Sequence, residues 1–300
     1  MTQTLANRMK EVLRGEVHDH ESLALHTSLR VGGAASIYVI PEDLDDLRNL
    51  LLVAAEEELP CLVLGSGTNL LVRDGGFPGV VISLRKFRAL ERRQGKRIVA
   101  GAGVTNGALV RYSEEQRLTG LEFLIGIPGT VGGALSMNAG AHGEEILDRV
   151  ETITTLLNGK LTCTAQADLV HGYRTLQLAA GEIIISAAFN LDEGTPAGIE
   201  ARIEGFLAHR RNAQRVNLPN AGSFFKNPPG EQAWRLIDRA GLRGERVGGA
   251  GVSEQHANFL VNLGGAAARD FIELAALIKG KVKAVTGVEL QEEVRIVGID

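Results

Sequence analysis

Apolar positions in this chain alternate between a period near 3.6 and a period of 2, and they divide it into helices and short strands from end to end. Residues 4–15 carry the pattern of a short amphipathic helix. SIYVI (36–40) reads as a strand, and Pro41-Glu42-Asp43 then opens a helix whose first turn is acidic, the sign that suits the helix dipole. Leu44, Leu47, Leu51 and Ala54 recur at spacings of three and four and give that helix one apolar face. CLVLG (61–65) predicts a buried strand, so the segment is a β-α-β unit that ends in the glycine turn GSGTNLLV. VVISL (80–84) predicts a further strand, and ALERRQGKRIVAGAG (89–103) a hairpin on Gln94-Gly95, with a helix over 105–117 after it. Residues 126–145 are nearly without period. Short strands dominate 150–191, in VETITTLL, KLTCTA and EIIISAAFNL. A helix near 196–213, an amphipathic helix in EQAWRLIDRAGL, a strand in HANFLVNLGG, a long helix in ARDFIELAALIKGKVKAVTG and a closing strand in LQEEVRIVG complete the chain. The mixture predicts an α+β protein in three parts, 1–86, 87–197 and 198–300, with no internal repeat.

Composition narrows the function. The net charge of −4 argues against nucleic acid as the main partner. The N-terminal MTQTLANRMKEVLRGE has no apolar signal region, and no run approaches the roughly 18 apolar residues of a membrane span, so a soluble, cytoplasmic protein without a membrane partner is expected. Cys61 and Cys163 lie in strand-like apolar runs, which predicts buried thiols, and the histidines show no metal-ligand spacing, so no metal is expected. Glycine is 37 of 300 residues against roughly 7% in an average protein, and the excess sits in discrete runs without a collagen period. Such runs suit close approach of backbone to a ligand.

Two of these runs are candidates for phosphate contact. Gly65-Ser66-Gly67-Thr68-Asn69 follows a buried strand, where bare N–H groups and small hydroxyls can wrap an anion or simply make a tight turn. Its spacing is not GxGxxG, and no Walker sequence exists, which disfavours a Rossmann or P-loop site. IPGTVGGALSMNAGAHG (127–143) is seventeen residues with five glycines and three alanines. As a loop it can lie along an extended cofactor and offer backbone groups. AGSFFKNP (221–228) differs from both: Phe224-Phe225 want burial, whereas Ser223, Lys226 and Asn227 are polar. A turn that buries its aromatic half and aims its polar half at a ligand uses both.

LGSGTNLLV, IPGTVGGALSMNAGAHG, HGYR, AGSFFKNP, HANFLVN and LQEEVRIVG occur in this order, and together they closely resemble the UDP-N-acetylenolpyruvoylglucosamine reductase family, from about Thr27 to Gly298. The resemblance implies a two-subdomain FAD-binding fold of the vanillyl-alcohol-oxidase type plus a C-terminal α+β substrate-binding domain, in the shorter class without an inserted substrate lobe. It implies FAD as cofactor, NADPH as co-substrate, reduction of the enolpyruvyl group of UDP-N-acetylglucosamine enolpyruvate for peptidoglycan precursor synthesis, and a monomer.

The resemblance also implies roles for residues. Arg30, Gly65, Ser66, Gly67, Thr68, Asn69, Pro128, Gly129, Thr130, Gly132, Gly133, Ser136 and Asn138 would hold FAD. Tyr173, Arg211, Gln214, Lys226 and Asn227 would contact the sugar nucleotide. Arg174 would grip the substrate carboxylate, Ser223 would supply a proton to carbon, and Glu293 would complete the catalytic set. A charged Glu293 beside the substrate's carboxylate would repel it, so it is expected to be protonated in the complex. Strand alternation puts Glu292 on the opposite face and selects Glu293. His142 stands where many relatives carry tyrosine. The rival readings are an FAD-dependent sugar or alcohol oxidase, which needs neither AGSFFKNP nor the final glutamate, and a flavin-binding protein that has lost catalysis.

Overall fold

The computed structural model describes residues 2–213 and 216–300. It is α+β, and the chain forms two compact units that each draw on three separate stretches.

The first unit comprises 1–18, 37–66 and 80–210. Its helices are α1 (Thr2–Val12), α2 (Leu44–Glu56), α3 (Asn106–Glu115), α4 (Val131–Ser136) and most of α5 (Pro196–Ala213). α2 starts after the expected opening at Pro41-Glu42-Asp43: the Asp43 carboxylate accepts from the N–H groups of Asp45 (3.1 Å) and Asp46 (3.0 Å) and so caps the helix. Leu47, Leu50, Val53 and Ala54 are buried, whereas the expected Leu44 and Leu51 sit at the margin of the stripe. Asp46 is also buried on this face. Its carboxylate accepts from the N–H groups of Arg14, Gly15 and Glu42, each at 2.9 Å, which makes burial of a charge tolerable.

A five-stranded antiparallel sheet carries much of this unit. Its order is Lys160–Ala165, Val150–Leu157, Ile183–Asn190, Arg97–Gly101 and Leu90–Arg92. The hairpin on Gln94-Gly95 is present, with Arg92 opposite Ile98 and Leu90 opposite Ala100. The cysteines correct the expectation of buried thiols: both are exposed. Cys163 lies on the edge strand Lys160–Ala165, where most side chains meet solvent, and Cys61 begins Cys61–Leu64, also an edge strand, in which alternate residues point outward. An apolar run buries both faces only in the interior of a sheet.

The second unit comprises 19–36, 67–79 and 211–300. Leu70–Val72 runs parallel to Arg295–Val297, and Asn220–Ser223, Phe259–Asn262, Ala250–Val252 and Arg246–Val247 form an antiparallel sheet in that order. The helices α6 (Ala233–Arg239) and α7 (Ala268–Thr286) bury Leu236, Phe271 and Ile278 in a core that also holds Phe224 and Phe225. Gly287 ends α7 in the left-handed conformation, φ +73°, and its N–H donates to the Lys283 carbonyl at 2.9 Å. Leu29, Val31 and Leu71 join this core from far upstream. The interleaving differs from the expected division at 86 and 197, and α5 runs through the second of those boundaries. Among the described residues no helix is long and apolar enough to cross a membrane.

Candidate active site

In the second unit, the segment Ser223–Lys226 is gripped from two sides. On one side Asn220–Ser223 pairs with Phe259–Asn262, Ser223 opposite Phe259. On the other, the Lys226 N–H donates to the Gln291 carbonyl and the Glu293 N–H to the Phe224 carbonyl, both at 2.8 Å. Phe225 bridges Glu292 between them. Ser223 and Glu293 therefore sit on hydrogen-bonded stretches of one unit. The expected division of the turn holds: Phe224 and Phe225 are each 1% exposed, with ring centroids 5.2 Å apart, while Ser223 is half-buried.

Asn258 sets the shape of this turn. Its side chain donates to the Phe225 carbonyl (2.8 Å) and accepts from the Phe225 N–H (3.0 Å), and its own carbonyl accepts from the Phe224 N–H (2.8 Å). Asn258→Ala would leave both backbone groups of Phe225 buried and unpaired. Each costs about 1–3 kcal/mol. Urea denaturation should show a loss of at least about 2 kcal/mol, and an unchanged midpoint would mean that the turn does not depend on this clamp.

Glu293 does not lie in the closing strand, as the periodicity predicts; regular pairing begins at Arg295. Next to it, both Glu292 oxygens accept from the Lys279 ammonium of α7, at 3.0 and 3.2 Å. The backbone at Glu293 is held by Asn69, whose Nδ2 donates to the Glu293 carbonyl at 3.1 Å and whose carbonyl accepts from the Arg295 N–H at 3.1 Å. Asn227 uses its side-chain oxygen to accept from the Ala233 N–H (3.0 Å), a cap for α6. Lys226 is half-buried and Arg211 is exposed. Gln214 lies outside the described residues.

Arg174 belongs to the first unit. It occupies, with Tyr173, the two-residue tip of the hairpin His171–Gly172 and Thr175–Leu176. Its φ is +57°, which costs a residue with a Cβ about 1–2 kcal/mol. The guanidinium lies 5.0 Å from the centre of the Tyr173 ring, and Nη2 donates to the Gly140 carbonyl at 2.9 Å. Tyr173 itself is 46% exposed.

The 127–143 run corrects the picture of an extended loop. Residues 131–136 form α4, because the N–H groups at its start find partners: Val131 donates to the Val104 carbonyl at 2.8 Å and Gly132 to that of Ala102 at 2.9 Å. A Cβ on Gly132 would fall 2.9 Å from the Ala102 Cβ, so that glycine serves close packing within the protein. At Gly133 the run leaves exposed backbone, and Gly65 packs its backbone against the Thr130 side chain. A Cβ on Gly65 would lie 2.7 Å from Thr130 Oγ1, and one on Gly133 would meet only that same oxygen, at 3.6 Å. This patch of the first unit fits the passage of an extended, anionic cofactor along exposed backbone. Pro128 and Ser66 are exposed, Gly129 and Ser136 half-buried. Asn138 is wholly buried among protein partners.

In the second unit Gly67 is required by the fold: its φ is +61°, and a Cβ would come within 2.0 Å of the His26 carbonyl oxygen. Its own carbonyl accepts from the Ser28 N–H (3.0 Å) and Oγ (3.3 Å). Thr68 is half-buried, and Arg30 is exposed with φ +57°. His142 packs its ring 4.7 Å from those of Phe206 and His209, and burial followed by the charge of His209 pushes its pKa down. The clamps made by Asn69, Asn138 and Asn258 carry no sign in the sequence, since each joins segments distant along the chain.

Comparison with known proteins gives one consistent result. Residues 35–163 match an FAD binding domain, and residues 214–297 match the C-terminal domain of UDP-N-acetylenolpyruvoylglucosamine reductase. The chain is 58% identical to the protein of that name from Geotalea uraniireducens, over the full length of both. It is 57% identical to the one from Geobacter metallireducens, over 99% of each chain. Among solved structures, the UDP-N-acetylenolpyruvylglucosamine reductase of Thermus caldophilus superposes with a TM-score of 0.81 at 35% identity, covering 95% of this chain and 99% of that one.

Proposed function

The chain belongs to the UDP-N-acetylenolpyruvoylglucosamine reductase family, and from that premise we propose how its own residues carry out the reaction. The activity is the NADPH-dependent reduction of the enolpyruvyl group of UDP-N-acetylglucosamine enolpyruvate, a step of peptidoglycan precursor synthesis, in a flavoprotein with FAD. Bound FAD would supply the hydride chemistry that links NADPH to the terminal vinyl carbon of the substrate. Negative charge then develops on the neighbouring carbon and spreads into the substrate carboxylate.

Arg174 pairs with that carboxylate through two parallel hydrogen bonds, a geometry its planar fork allows and an ammonium does not. Ser223 donates the proton to carbon. A hydroxyl is a weak acid in water, but it serves a strongly basic enolate placed within hydrogen-bond reach. Glu293, protonated in the complex, donates a hydrogen bond to the developing enolate. Tyr173 and Lys226 contact the sugar nucleotide, and Arg211 lies in the stretch of α5 implied for it. Gly65, Ser66, Thr130 and Gly133 would hold FAD, with Arg30 and Thr68 as further residues proposed for it. Supporting the Ser223 and Glu293 roles is their presence on paired stretches, Ser223-Phe224 against Glu293. We take the protein to be a cytoplasmic monomer.

Colour tests the reading. Purified protein should be yellow, bleach with NADPH in the absence of air, and regain its colour when the enolpyruvyl sugar nucleotide is added. A preparation that takes up no flavin, or that steadily consumes oxygen with an alcohol substrate, would remove it.

A further inference from the structure

We propose that Asn138 is a positioning residue for Arg174, holding the arginine's hairpin and the peptide that its guanidinium rests on in one fixed relation. This rests on the reading of Arg174 as the group that binds the substrate carboxylate. Asn138 is 0% exposed and takes φ +41°, a conformation that Asn tolerates better than most residues with a Cβ. Its Nδ2 donates to the Gly172 carbonyl at 3.1 Å and to Glu145 Oε2 at 2.5 Å, and its Oδ1 accepts from the Leu147 N–H at 3.3 Å. Both amide hydrogens are therefore engaged, and complete burial leaves no face for a ligand.

Each of these two acceptors connects to Arg174. Gly172 is the strand residue two positions before it, at the base of the hairpin tip. Glu145 pairs with Gly140 across the short ladder of 140–141 and 144–145, and the Gly140 carbonyl is the acceptor for Arg174 Nη2 at 2.9 Å. Space there is tight: a Cβ on Gly140 would lie 2.5 Å from the Glu144 carbonyl oxygen and 3.3 Å from Arg174 Nη1. One amide thus joins the root of the arginine to the platform under its tip. The chemistry demands asparagine. Two acceptors flank one nitrogen, so aspartate would place oxygen against oxygen, and serine has a single hydrogen to donate.

A double-mutant cycle on the FAD-loaded enzyme tests this. The reoxidation of NADPH-reduced enzyme by the enolpyruvyl sugar nucleotide is followed in Asn138→Gly, Arg174→Ala and the double variant. Substrate affinity, FAD content and melting temperature are measured beside it. Glycine keeps the left-handed backbone and deletes only the amide. Asn138→Asp, nearly isosteric, is the second probe should the glycine variant fold poorly. Either change should slow reoxidation and weaken substrate binding by about tenfold to a hundredfold when Arg174 is present. With alanine at 174, the further loss should be under about threefold. Equal slowing in both backgrounds, or no slowing by either variant, overturns the inference and leaves the role of Arg174 standing. An Arg174→Ala enzyme that reoxidises normally removes the role of Arg174, and the inference with it.

Discussion

Ser223→Ala is expected to leave bleaching by NADPH close to the wild-type rate while slowing reoxidation by the enolpyruvyl sugar nucleotide by about 10²- to 10⁴-fold. The split follows from where protons go. Reduction by NADPH delivers no proton to carbon, so it does not need the hydroxyl. Saturation of the vinyl ether does. The substitution is also mild for the fold. Ser223 is only half-buried, its neighbours Phe224 and Phe225 supply the burial, and among the described residues its hydroxyl makes no hydrogen bond that alanine would orphan. The paired backbone on both sides of the segment remains. Rapid mixing resolves the two halves of the cycle. If both halves slow together, Ser223 shapes the turn and the proton comes from elsewhere.

Arg174→Ala is expected to slow reoxidation by about 10²- to 10³-fold, the range for removal of one preorganised donor at a developing charge, about 2.7–4 kcal/mol. Arg174→Lys should recover only part of this, because an ammonium offers a point charge without the bidentate fork. The backbone adds a control. Arg174 holds φ +57°, so alanine there keeps the strain of the left-handed region, whereas Arg174→Gly relieves it. If loss of the guanidinium dominates, the alanine and glycine variants should be equally slow while the glycine variant melts higher. A lysine variant as fast as wild type would exclude bidentate recognition, and a fast glycine variant would exclude the guanidinium altogether.

The local elements were legible because their causes are local. The acidic opening of α2 and the hairpin on Gln94-Gly95 each act over a few residues, and both form close to where the pattern puts them. The burial of Phe224-Phe225 beside a polar Ser223 was readable for the same reason. The misreadings share another cause. Cys61 and Cys163 are exposed because their strands lie at sheet edges, and edge position is a property of pairing order, not of the run itself. The 127–143 run contains α4 because Val104 and Ala102 accept its first N–H groups, which no period within the run reports.

Taken alone, then, the chain's residues determined the strongly periodic elements, that the fold is α+β, and, through six motifs in order, the family with its cofactor and reaction. Only the folded molecule decided which polar groups are free to act. Asn69, in a glycine-rich run that looked available to a ligand, holds the Glu293 carbonyl 224 positions away, and Asn138, in another, ties Gly172. The reason is physical. A period or a cap is set by neighbours within a turn or two, whereas a buried amide takes its partners from whatever segment packing brings to it, and that choice leaves no trace in local order.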